Sequence, residues 1–130
     1  MRPLNAVVRC HPMHSSSIAA IVISTIGLVA CSKHLALALP PGVPVQVVEL
    51  GGSGSYELPT TSEAYGKLAA WVALNQSGWS TYYATTPGMG IIVRAGTFHV
   101  QFVEHNVLAV TSNGVFTKSA TLSEYSYLRR

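Results

Sequence analysis

Beyond Trp79 the chain is cut into short apolar runs by turn signals at close intervals, a rhythm that favours antiparallel strands over long helices. Phe98, Val100 and Phe102 alternate with Thr97, His99 and Gln101, the period of a strand with one buried face. Asn113-Gly114 is the strongest hairpin signal, because a tight two-residue turn takes positive φ at its centre and these side chains tolerate it. Ala95-Gly96 suits another tight hairpin, His105-Asn106 marks a turn, and Pro87-Gly88-Met89-Gly90 marks a further one. These boundaries predict strands over 80–86, 91–94, 97–103, 107–111 and 115–121.

Upstream, residues 45–50 (VQVVEL) read as a first strand, rich in β-branched side chains and closed by Gly51-Gly52. The following GGSGS reads as a flexible turn, and 56–58 as a short extended piece before Pro59. Thr60 and Glu63 have capping-box spacing, and strong helix formers continue over 64–75. Tyr65, Leu68 and Val72 share one helical face with Trp71 beside them, and Gly78 is the expected stop. Gly66 costs about 1 kcal/mol against alanine inside a helix, which points to a close packing contact there. Residues 122–128 are expected to close the chain as a short helix capped by Thr121 or Ser123. The predicted fold class is α+β: an antiparallel meander of about five strands, one main helix packed on its apolar face, and a signal segment in front.

That signal segment is residues 18–30 (IAAIVISTIGLVA), an uncharged run of 13 residues behind a polar stretch with Arg2 and Arg9. A spanning helix needs about 20 apolar residues, whereas 10–14 suits the hydrophobic region of a signal peptide. Ser32, Lys33 and His34 end the apolar character and make a continuous span to Leu39 expensive. At the end of the run, Leu28-Val29-Ala30-Cys31 resembles the bacterial lipobox. The resemblance implies transfer of a diacylglyceryl group to the Cys31 thiol, cleavage between Ala30 and Cys31, and acylation of the new amine, with palmitate as the typical chain. One acyl chain binds a membrane marginally, and two or more hold it stably. Ser32 in the place where lipoproteins kept in the inner membrane often carry aspartate implies outer-membrane sorting, facing the periplasm.

The expected organisation is a lipoprotein signal peptide over 1–30, a lipidated tether over 31–44 and a small α+β domain over 45–130. Met1 is the expected start, since a start at Met13 leaves no arginine in the leader. Cys10 departs with the leader, so Cys31 is the only mature thiol and no internal disulfide can form. Pro40, Pro41, Gly42 and Pro44 make the tether irregular, and its 35–39 stretch either lies at the bilayer surface or folds back onto the domain. A second resemblance covers the helix and its exit. Tyr65-Gly66-Lys67-Leu68-Ala69-Ala70-Trp71, then Asn75-Gln76-Ser77-Gly78-Trp79, is similar to a pattern in small bacterial lipoproteins with no activity to carry over.

Charge excludes one class of partner. Without 1–30, six Lys and Arg side chains face five glutamates, a net of +1, and the only basic run is Arg129-Arg130. A nucleic-acid footprint needs clustered basic residues on one face. Chemistry is equally sparse. The chain has no aspartate, and its glutamates are scattered, so no cue sets two carboxylates across one bond. His99, Glu104 and His105 form the most suggestive cluster, but six residues of strand is about 20 Å, too far to share one ion. Gly51-Gly52-Ser53-Gly54-Ser55 lacks the Gly-Lys-Ser/Thr ending of a phosphate loop, and no Gly-x-Ser-x-Gly elbow occurs. No catalytic residue, metal site or cofactor is therefore assigned.

The expected function is that of a membrane-anchored envelope lipoprotein that binds another envelope protein without catalysis, an immunity or inhibitor protein being one version. The alternatives are a small envelope hydrolase using His99 or His105 with a serine, and a structural component of an envelope assembly. The candidate interface residues are Trp79, Tyr82, Tyr83, Tyr125 and Tyr127, because aromatic side chains anchor protein interfaces.

Overall fold

The computed structural model describes residues 32–52 and 54–130. Leu28, Val29, Ala30 and Cys31, which carry the lipobox reading, lie outside the described residues. Among the described residues, no helix is long and apolar enough to cross a membrane.

The elements in chain order are β1 (Val45–Leu50), β2 (Gly54–Leu58), α1 (Glu63–Leu74), β3 (Ser80–Thr81), β4 (Gly90–Ala95), β5 (Phe98–Val103), β6 (Asn106–Thr111), β7 (Gly114–Ser119), α2 (Leu122–Tyr125) and a 3-10 turn (Ser126–Leu128). They correct the expected fold. Seven strands form one antiparallel sheet in the order β2-β1-β4-β5-β6-β7-β3, and among the described residues only two short helices accompany it. The expected meander of about five strands under one main helix falls short at both edges. The 56–58 piece is part of a full strand that pairs with β1 from Val45↔Leu58 to Glu49↔Gly54. The expected strand over 80–86 keeps only two paired residues, and they add to the far edge beside β7.

The central hairpins follow the alternation of the sequence, but each turn lies one residue from the expected pair: Gly96-Thr97 for Ala95-Gly96, Glu104-His105 for His105-Asn106, and Ser112-Asn113 for Asn113-Gly114. β4 pairs with β5 from Ile91↔Phe102 to Ala95↔Phe98, β5 with β6 around Glu104 and His105, and β6 with β7 around the turn at Ser112 and Asn113. Period two sends Ile91, Val93, Phe98, Val100, Phe102, Val107, Ala109 and Phe116 to one face, where all are buried. Val45, Val47 and Leu58 extend that face across β1 and β2.

Leu68, Trp71 and Val72 of α1 and Tyr125 and Leu128 from the C-terminal end join this core. The Trp71 ring meets Phe102 edge-on at 5.0 Å, and Tyr125 stacks on the same Phe102 at 4.8 Å. Trp71 Nε1 donates to a Glu124 carboxylate oxygen at 3.2 Å, and the Tyr125 hydroxyl donates to the Glu104 carbonyl at 2.7 Å. The N-cap of α1 is Ser62, whose hydroxyl oxygen accepts from Tyr65 N–H, so the helix starts two residues after the expected Thr60. A turn through Pro59, which accepts from Ser62 N–H at 3.0 Å, occupies the intervening residues. Thr121 caps α2. A methyl group on Gly66 would meet nothing within 4 Å, so the close contact expected there is absent among the described residues.

Candidate functional site

Two features of this fold have no structural need visible in the strand pattern alone. One is a docked N-terminal segment, and the other is a connection laid across the outer face of the sheet.

The N-terminal segment is held by the exit of α1. Lys33 and Trp79 exchange backbone hydrogen bonds, Lys33 N–H to Trp79 O at 2.6 Å and Trp79 N–H to Lys33 O at 3.2 Å. Leu35 N–H donates to Gln76 O at 2.7 Å, and Gln76 Nε2 donates to Leu37 O at 2.8 Å and to Val72 O at 2.7 Å. The exit is itself braced. Asn75 Nδ2 donates to Trp71 O, and Trp79 Nε1 donates to Asn75 O, both at 2.7 Å. Thus Asn75, Gln76 and Trp79 form the receptor for the residues that follow Ser32. Leu35, Leu37 and Leu39 pack against the core while Ala36 and Ala38 face out. Half-burying each leucine contributes on the order of 1 kcal/mol. Of the two fates open to 35–39, the structure has the fold-back onto the domain. The strict alternation Leu-Ala-Leu-Ala-Leu is the signal that reveals it in the sequence.

The crossing connection follows from topology. β3 lies beyond β7, whereas β4 lies on the far side of β5, so residues 82–89 must pass β7, β6 and β5. They pass over the face opposite the core. Gln101 and Leu108 point to that face and are nonetheless 3% and 2% exposed. Gln101 Nε2 donates to Pro87 O at 2.7 Å and Met89 O at 2.8 Å, which satisfies both amide protons against two backbone carbonyls. Tyr82 N–H donates to Val115 O at 2.8 Å, and a cavity of about 230 Å³ remains between Tyr82, Pro87, Leu108 and Thr117. This pinned segment presents Tyr83, 92% exposed, and Met89, 51% exposed. Sequence reasoning placed Gln101 on a strand's polar face and did not find its role, since nothing local says what crosses it.

The expected interface aromatics separate accordingly. Trp79 and Tyr125 are core residues, at 0% and 1% exposure, and offer no ring to a partner. Tyr82 is half-buried with its hydroxyl donating to Thr85 O at 3.2 Å. Tyr127 is half-buried beneath Lys67, whose Nζ lies 5.7 Å from its ring centroid. Burial, with a contribution from Tyr56, pushes the Tyr127 hydroxyl up to about 12, so it stays protonated. Tyr127 lines a groove of about 630 Å³ between α1 and the C-terminal turn, together with Lys67, Trp71, Leu74 and Glu124. Of the five, Tyr83 alone projects fully into solvent.

His99 lines an open groove of about 600 Å³ with Thr97, Thr111 and Ser112. Burial, then the nearby Arg94, holds its imidazole below the ordinary value, which favours the neutral form. Among the described residues no carboxylate lines that groove. Glu104 and His105 occupy the β5–β6 turn, one strand length from His99. Among the described residues, no three His, Cys, Asp or Glu side chains are placed to hold a metal ion.

No protein-family model matches the chain, and neither a characterised protein nor a solved structure matches it.

Proposed function

We propose that the chain is the precursor of a lipid-anchored envelope protein, cleaved between Ala30 and Cys31, acylated on Cys31 and held at the outer membrane facing the periplasm. Its domain binds another envelope protein and performs no chemistry of its own. An immunity or inhibitor role fits a domain of this size, which needs only a surface.

The observation that carries the binding reading is the presentation of Tyr83. The ring is 92% exposed, and it stands on a connection pinned by two hydrogen bonds from Gln101. A ring on a braced support loses little further entropy when it docks, and interface energy concentrates in a few such anchors. Met89 on the same connection adds an adaptable apolar contact.

A photo-crosslinking side chain placed at Tyr83 in cells tests this reading. A discrete adduct with one envelope protein is expected from position 83 and none from Glu57 on β2. Adducts absent from position 83, or equal at both, contradict it.

A further inference from the structure

We propose that the edge formed by Lys33, the turn over 77–79 and Lys118 lies flat against the phospholipid surface that holds Cys31, with both lysines meeting lipid phosphates. This rests on the lipoprotein reading and adds an orientation to it.

Chain continuity sets the distance. Lys33 is fixed to the fold by its paired backbone bonds with Trp79. Cys31 stands two residues before it, a reach of at most about 7 Å when extended. A free tether over 32–44 would instead span roughly 20 Å on average, more than the ~13 Å radius of gyration of a domain near 100 residues. With Ser32 as the only undocked residue between anchor and fold, the domain cannot swing clear of the bilayer.

Charge at the same edge agrees. Lys33, Lys67 and Lys118 are the lysines of the domain, and two of them flank this turn. Lys33 Nζ sits 5.2 Å over the Phe116 ring, and Lys118 Nζ donates to Ser77 O at 2.8 Å. Lys33, His34, Ser77 and Gly78 are exposed. Lys118 acts on the Glu124 carboxyl, which is also engaged by Thr121 N–H, the Thr121 hydroxyl and Trp71 Nε1. Each lysine near an anionic leaflet is attracted to it electrostatically. β2 lies at the opposite edge of seven strands, roughly 29 Å away at the usual spacing.

The test uses the lipidated protein, processed in a bacterial host and reconstituted into vesicles of phosphatidylethanolamine and phosphatidylglycerol. A single introduced thiol, Ser77→Cys or Glu57→Cys, carries an environment-sensitive dye. The dye at position 77 is expected to shift blue and to be quenched by headgroup-labelled lipid, while the dye at 57 reports water. Lys33→Glu combined with a Gly/Ser insertion of about a dozen residues before Lys33 should abolish the shift without removing the acyl mass on Cys31. A water-exposed dye at 77 with Cys31 acylated overturns the orientation and leaves the lipoprotein reading standing, as does a shift that survives the combined variant. Absence of acyl mass on Cys31 overturns both.

Discussion

Gln101 donates both amide protons to the backbone of a single crossing connection, at 2.7 Å to Pro87 O and 2.8 Å to Met89 O, and so fastens the segment that presents Tyr83. Gln101→Ala removes both donors and leaves two carbonyls without them. The expected cost is about 1–3 kcal/mol in urea unfolding. Limited proteolysis should speed up within 82–89 before it does elsewhere. Unchanged stability and unchanged cleavage sites would show that the connection is held by other contacts.

Trp71 couples α1 to the sheet through Phe102 and to α2 through Glu124. Trp71→Ala should cost about 3–5 kcal/mol, much of the stability of a domain this small. Trp71→Phe keeps most of the apolar contact and loses the indole donor, so about 1 kcal/mol is expected. Denaturant titration of both variants separates packing from the hydrogen bond.

Two glycines should respond in opposite directions. A methyl at Gly66 meets nothing within 4 Å, so Gly66→Ala should stabilise by about 1 kcal/mol through helix propensity. A methyl at Gly90 would sit 2.0 Å from the Phe102 carbonyl oxygen, at φ +95°. Gly90→Ala should destabilise by about 3 kcal/mol, from overpacking and from left-handed backbone. Thermal melts of the two variants, side by side, check the pair of signs.

Burial and Arg94 lower the folded pKa of His99. Between that folded value and about 6.5, the ordinary histidine value, the unfolded chain binds more protons, so stability falls as pH drops through this window. Above it the imidazole is neutral in both states and contributes no slope. His99→Asn should therefore flatten the decline of Tm below neutrality. Glu124, whose carboxyl is lowered chiefly by the Thr121 N–H, gives a slope of the same sign at more acid pH, lost as pH falls through its folded value. Melts from pH 7 to 5 isolate the histidine part.

The hairpins from β4 to β7 were legible because alternation and turn residues are local: Phe98, Val100 and Phe102 declare one face, and Asn113-Gly114 marks a turn to within one residue, since the turn itself is Ser112-Asn113. The two sheet edges were not. Gly54 and Ser55 carry turn composition yet pair with Glu49 and Val48, because a strand on an edge tolerates glycine when its neighbour supplies the ladder. Tyr82 and Tyr83 have strand propensity, but the path to β4 takes them off the ladder after Thr81. That same path buries Gln101, whose place opposite the core predicts exposure. The aromatic candidates divide for a related reason. Trp79 and Tyr125 find partners for their polar atoms in Asn75 O and Glu104 O, contacts 4 and 21 residues away along the chain, and composition cannot announce them.

The central claim, a lipid anchor on Cys31, is tested most directly by metabolic labelling with radioactive or clickable palmitate, read beside the intact mass of the protein. Wild type should carry the label on a chain beginning at Cys31, and Cys31→Ser should accumulate as the unlabelled precursor. Equal labelling of the two, or an unlabelled wild type, would contradict the account.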